Sequence, residues 1–395
     1  MFDGLAAASR IAHSDAAPAH RVTTAGTPHV ASGAAMPPLD LSGKPLSFFE
    51  FWPMWAFYGP VFAYVAWLML RHRGINLPTL ANPSFPGGGF YGESKAAILD
   101  LACRAAPQWI APFITVDRPD QPRDVGAETR IALCRLREAG LALPVVAKPD
   151  LGCRGAGVRL IRTEADLTCY LRAFPTGASL VLQRLADVEG EAGVFYVRKP
   201  NEARGRILSL TLKYFPRVVG DGASTLRELI LRDPRAGKVP HLYLKRHAAR
   251  LGEVIAAGEA VRLSFSGSHS KGAIFRDGTG YITKAMQDRI DAIARAIPDF
   301  HFGRFDVRFA SFEALQRGEG FVILEINGAG AEMTHVWDRR TTLRSAWSTI
   351  MRQYRLLFEI GRMNRDRGHR GQSLASFWRQ YRRENALTAV YPLTQ

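Results

Sequence analysis

The chain has 395 residues, 47% apolar and 22% charged, enough to bury a large core and too apolar for a wholly disordered or fibrous protein. Lys plus Arg number 52 against 36 Asp plus Glu, a net charge of +16. Four cysteines (Cys103, Cys134, Cys153, Cys169) without CxxC spacing exclude a disulfide scaffold, argue against a zinc knuckle and fit a reducing, cytoplasmic compartment.

Residues 1–39 are rich in Ala, Gly, Ser, Thr and Pro, lack a hydrophobic period and read as a disordered tail. They lack the compact apolar stretch of a secretory signal, and Met36 offers a second start. Residues 40–74 form an aromatic hydrophobic segment. Within it, 48–70 hold ten of the chain's forty aromatic residues and one charge, Glu50. As a helix this stretch reaches roughly 35 Å, enough for a bilayer core. Arg71, His72 and Arg73 follow, which favours a cytoplasmic C-terminal side. Pro53, Pro60 and Glu50 interrupt a simple span. Three readings stand: a kinked span, an interfacial or re-entrant anchor, or a buried core hairpin. Attachment to the cytoplasmic face of a membrane is preferred over the core reading.

From residue 75 the pattern is mixed α/β, with 75–140 as a shortened N-terminal subdomain, 141–338 as a catalytic core and 339–395 as a basic helical extension. Asn82–Pro83 and Gly87–Gly89 are loop chemistry. Helices are predicted at 94–106, 129–140 and 287–297, with Gly140 as a stop. Strands are predicted at 110–116, 143–148, 179–185, 193–198, 206–215, 302–309 and 321–327, and 157–161 pairs back as a hairpin arm. Residues 339–383 contain twelve arginines against Glu359 and Asp366. No RNP, zinc-finger or basic-zipper pattern accompanies them, so no specific nucleic-acid partner is expected. Leu343, Trp347, Ile350, Tyr354 and Leu357 keep a helical period there. That helix packs on the core with solvated arginines or, as a second reading, lies on anionic lipid.

Alternation puts Arg304, Asp306 and Arg308 on one face of a strand, and Glu325 and Asn327 on one face of the next, with Val322 and Leu324. Two carboxylates and an amide carbonyl are hard oxygen ligands, suited to magnesium shared with substrate phosphates; a polar strand face satisfied by its neighbours is the even alternative. Upstream, Val145-Val-Ala-Lys148-Pro-Asp-Leu-Gly152-Cys-Arg-Gly155-Ala-Gly157 sets a lysine at a strand end before a glycine-rich turn that can cradle phosphates.

The order of Lys95 ahead of a helix, V-A-K-P with its glycine loop, then R-x-D and E-x-N resembles the ATP-grasp superfamily, in its D-alanine–D-alanine ligase and cyanophycin synthetase branch. The segment from Arg217 to Ile230, RVVGDGASTLRELI, is similar to the VVGDG-ST-ELI stretch of cyanophycin synthetase-like proteins. The resemblance covers about residues 92–335 and implies an α/β ATP-grasp fold using ATP and Mg2+, with Mn2+ as a substitute. By position it implies phosphate contacts from Lys95 and Lys148 and a lid of Gly152, Gly155 and Gly157. It places Gln183 and Leu185 by the purine, Glu189 or Glu191 on the ribose, and the metal on Asp306, Glu325 and Asn327. Arg304 would stabilise the anionic intermediate, and Lys271 would close on the γ-phosphate. Lys213 is a weaker candidate for that duty and reads as a surface lysine. Gln183 stands where relatives often have Glu, and Gly328-Ala-Gly330-Ala-Glu332 replaces their proline-glycine after the metal Asn.

The implied activity is ADP-forming ligation of a small-molecule carboxylate to an amine through an acylphosphate. An anionic membrane surface is a further expected partner. A catalytically weak, membrane-associated ATP-binding sensor or scaffold is the alternative.

Overall fold

The computed structural model describes residues 35–394 except 41, 43, 122, 123, 153 and 154. The expected disordered tail falls almost wholly outside the described residues, as do Cys153 and Arg154 of the glycine turn.

The protein is mixed α/β and built on antiparallel sheets. The smaller sheet has the order β1-β4-β2-β3, with β1 at Phe113–Asp117, β2 at Val145–Pro149, β3 at Arg159–Ile161 and β4 at Ser179–Arg184. Its β2–β3 pair is the expected hairpin, Val145 facing Ile161. The sheet draws β1 from the 75–140 segment and its other strands from the 141–338 segment. The larger sheet runs β11-β10-β5-β6-β9, with β5 at Gly190–Val197, β6 at Arg206–Tyr214, β9 at Ile274–Asp277, β10 at Phe302–Phe309 and β11 at Phe321–Asn327. A small ribbon pairs β7 (Arg217–Val219) with β8 (Ala260–Arg262).

Helix α1 covers Met54–Arg71, α2 Lys95–Ala105, α3 Val125–Glu138 and α4 Glu164–Ala173. After them come α5 at Leu226–Arg232, α6 at Lys284–Ala296, α7 at Phe312–Gln316, α8 at Leu343–Asp366 and α9 at Leu374–Val390. Helix α3 starts a turn earlier than its apolar period indicates because the Asp124 carboxylate caps the Gly126 and Ala127 amides. Helices α4 and α5 each open with a capping box, Thr163 with Asp166 and Thr225 with Glu228.

Each sheet has its own core. Leu167, Tyr170 and Leu171 of α4 and Leu136 of α3 pack on Val145, Leu180 and Leu182 of the smaller sheet. On the larger sheet, one face buries Val194, Leu210, Phe305, Val307 and Ile323 against α2 and α6. Its other face is the polar one. A bulge at Leu324 shifts the register so that Asp306 faces Glu325 while Val307 faces Ile323. Strict alternation would separate Val322 and Leu324 from Glu325 and Asn327; the bulge brings all four to the partly open side.

The aromatic segment corrects the spanning reading: among the described residues no helix is long and apolar enough to cross a membrane. Helix α1 instead lays Phe57, Val61 and Leu68 against α8 and its neighbours, and the Trp347 indole N–H donates to the Phe57 carbonyl at 2.8 Å. Glu50 is buried for a reason of its own. Its carboxylate pairs with Arg235 at 2.5 Å and with His269 at 2.9 Å. Burial opposes ionisation, but His269 and Arg235 still hold that carboxyl below its ordinary value.

Candidate active site

The candidate residues converge where the smaller sheet meets the polar face of the larger one. Lys148, next to last in β2, donates to the Gln183 side-chain oxygen at 2.5 Å and to the Leu324 carbonyl at 3.3 Å. Gln183 in turn donates to the carbonyls of Ala111 and Leu324 at 3.2 and 3.3 Å. One amide and one ammonium from the smaller sheet thus share an acceptor at the bulge of β11. Burial lowers the pKa of Lys148, and the nearby Glu325 carboxylate partly offsets it. Leu185 lies just past β4, half-buried.

On the larger sheet Asp306 is the hub. It accepts from Arg304 Nε at 2.8 Å, lies 3.0 Å from the Lys213 ammonium, and accepts from the Asn327 amide at 3.3 Å. Lys213 also meets Glu191 at 3.2 Å, and Glu191 meets Arg308 at 2.8 Å. Burial alone would raise both carboxyls. The cations outweigh it: Arg304 and Lys213 hold Asp306 well below the usual carboxylate range, and Lys213 and Arg308 hold Glu191 down. Gly193 faces Asp306 across the ladder, and a Cβ there would come within 3.0 Å of the Arg304 chain.

Lys213 corrects its reading as a surface lysine, since its side chain is only 5% exposed. In β6, Ser209, Thr211 and Lys213 alternate with leucines. All three face polar partners: Ser209 pairs with His335 at 2.6 Å and Thr211 accepts from Thr334 at 3.0 Å.

Lys95, at the start of α2, reaches the Asp150 and Gly152 carbonyls and so tethers the glycine turn. Asp150 itself accepts from the Ser94 hydroxyl at 2.9 Å and the Ala96 amide at 2.8 Å, anchoring the same helix end. Glu93, absent from the sequence reading, sits beside Lys95 and Gly328. Burial pushes its carboxyl up to about 8, with Glu325 and Glu384 adding like charge. The Gly328–Gly330 stretch that departs from the family pattern has a steric cause. The amides of Ala329 and Gly330 donate to the carbonyls of Gly88 and Gly89, and a Cβ on Gly328 would stand 2.7 Å from the Gly89 Cα.

Two loops cover the site. Any Cβ on Gly155 would meet the Ser266 hydroxyl at 2.8 Å, and one on Gly267 would overlap the Glu191 carboxylate. Lys271 ends the short 3-10 turn His269–Lys271 in that second loop. The exposed Glu189 pairs with Arg217 at 2.6 Å, whereas Glu191 is committed to Lys213 and Arg308. The C-terminal tail is a third cover that the sequence did not announce. The Tyr391 hydroxyl donates to the Leu151 carbonyl at 2.8 Å, and Thr394 bonds Gly155 at 2.8 Å and Gly157 at 3.1 Å. Between tail and turn lies a cleft of about 260 Å³ lined by Ser94, Asp150, Arg383 and Tyr391.

For a magnesium ion the donor set fits in one way. Among the described residues no group of three or more His, Cys, Asp or Glu forms a metal cluster. Asp306, Glu325 and Asn327 offer two carboxylates and a carbonyl, which suits an ion whose remaining ligands are phosphate oxygens and water.

No protein-family model matches the chain, and no curated protein does. Solved structures do. A bifunctional glutathione synthetase from Pasteurella multocida aligns at 16% identity and a TM-score of 0.33, over 66% of this chain and 35% of that one. The chain thus spans about a third of that protein's length. D-alanine–D-alanine ligase from Bacillus anthracis aligns at 11% identity and a TM-score of 0.39, over 69% of each chain. The ATP-grasp ligase PsnB, solved with Mg and ADP, aligns at 15% identity and a TM-score of 0.33, over 66% of this chain and 58% of that one. Likenesses this distant carry no argument about chemistry, which rests on the residues of the cleft.

Proposed function

We propose that the chain is an ATP-dependent carboxylate–amine ligase of the ATP-grasp kind, releasing ADP. The observation that carries this reading is the contact of Lys148 from one sheet with the Leu324 carbonyl of the other, on the sheet face that carries the Asp306, Lys213, Arg304 and Asn327 network. A free carboxylate is a poor electrophile. Its oxygen attacks the γ-phosphorus of ATP, the bond from that phosphorus to the β-bridging oxygen breaks, and an acylphosphate and ADP result. The amine then attacks the acyl carbon, phosphate leaves and the amine gives up a proton.

Lys95, Lys148 and the backbone N–H groups around Gly152, Gly155 and Gly157 would neutralise the phosphates, with Lys271 closing on the terminal one. Gln183 and Leu185 would border the purine, and Glu189 or Glu191 the ribose. Asp306, Glu325 and Asn327 would hold Mg2+, which supplies charge neutralisation at the transferring phosphoryl group. Arg304 would stabilise the oxyanion formed when the amine adds. The covering loops exclude water that would hydrolyse the acylphosphate.

The test is magnesium-dependent ADP release by the purified protein, screened against pools of carboxylates and amines, with Lys148→Ala as control. ADP formed with one pool only, and only by wild type, establishes the ligase and begins to name its substrate. Nucleotide binding without turnover on any pool supports instead a sensor or scaffold, a reading favoured by the bare aromatic face of α1.

A further inference from the structure

Helix α1 has no charged residue before Arg71, yet only one of its faces is packed. On the other, Trp55, Phe62, Trp67 and Leu70 expose 77, 49, 49 and 79% of their surfaces. A helix apolar all round is normally buried all round, so this ridge is a surface awaiting a partner. Beside it a shallow groove of about 550 Å³ runs between α1 and α8, with Tyr64 on one wall and Arg344, Arg352 and Arg355 on the other. Ridge and groove are continuous: the Tyr64 and Trp67 rings stack at 5.5 Å, and the Arg71 guanidinium lies 5.4 Å over Trp67. The three α8 arginines are exposed, and Arg355 has only a long 3.8 Å contact to Glu359.

We propose that this face docks onto an anionic lipid surface. The Trp and Phe ridge enters the boundary between headgroups and acyl chains, and the arginine row binds lipid phosphates. Eighteen helical residues reach only about 27 Å, and one side is already taken by α8, so the helix lies in the interface rather than across it. A second copy of the chain is the poorer occupant. A two-fold contact through this face would set one arginine row against the other.

The test is co-sedimentation of the full chain, without nucleotide, with vesicles of phosphatidylcholine alone or with 30% phosphatidylglycerol. Binding to the anionic vesicles is expected to be roughly tenfold or more tighter, and to weaken as salt rises. Trp55→Ser with Trp67→Ser, and separately Arg344→Ser with Arg352→Ser, should each lower the partition about tenfold with thermal melting unchanged. Absence of vesicle binding, or binding by either double variant equal to that of wild type, overturns the proposal. So does a lipid-free dimer that the tryptophan variant dissolves, because the ridge then belongs to a second copy.

Discussion

At Asp306 a single carboxylate faces two cations, Arg304 at 2.8 Å and Lys213 at 3.0 Å, so its removal takes the ion partner from Arg304 and leaves the buried Lys213 to Glu191 alone. Asp306→Ala is expected to cost about 3–5 kcal/mol of stability, read as a fall in the urea midpoint. A loss of activity in that variant would not isolate a metal role. Among the described residues Glu325 shares the strand face without an ion pair, so Glu325→Gln should keep the wild-type melt and lose magnesium-dependent ADP release. Glu93 supplies a pH signature. Burial pushes its carboxyl up to about 8 in the fold from about 4.5 when unfolded, so between these values the unfolded chain binds fewer protons. The contribution of Glu93 to stability is therefore full below about pH 4.5 and is lost as pH climbs to about 8. Glu93→Gln should remove that loss, leaving it about 4 kcal/mol more stable than wild type at pH 8.5 relative to pH 5. Urea denaturation at the two pH values checks it.

Helix α9 and the residues after it hold the glycine turn in place. Beyond the Tyr391 and Thr394 bonds, the Tyr391 ring stacks at 5.3 Å on Phe174, which ends α4, and Glu384 accepts from the Gly92 amide at 2.9 Å. Tyr391→Ala should speed amide exchange across residues 151–157 at least about tenfold while leaving β5 and β10 protected. Four of the five strands of the larger sheet were legible because apolar alternation reports on a sheet face: 302–309 and 321–327 match β10 and β11 to the residue, whereas the four-residue β9 was not read. Lys213 was not, because its burial comes from parts of the chain far away in sequence. The loop holding Gly267 and the carboxylates of Glu191 and Asp306 enclose it, and a strand lysine carries no local mark of what will cover it. Helix α9 lies within the expected basic helical extension, but its contact with the glycine turn was not read, because that contact also joins distant parts of the chain.

Across the molecule, Glu50 joins the aromatic segment to the rest of the fold through Arg235 and His269. Arg235→Ala leaves a carboxylate with 1% side-chain exposure short of its main partner, and should cost about 3 kcal/mol by thermal melting. The sequence treated Glu50 as an obstacle to a membrane span; in the fold it is the group that ties residues 48–52 to the ribbon side of the protein. The covering loops have a kinetic consequence. The loop of Ser266 and Gly267 abuts Gly155 on one side and Glu191 of β5 on the other, so its lifting parts it from both the glycine turn and the larger sheet. For a nucleotide bound beneath them as proposed, release waits on that opening, and its departure rather than bond formation is expected to be the slow event. Rapid mixing with excess ATP and both acceptors should then show a fast first round of product followed by a slower steady rate.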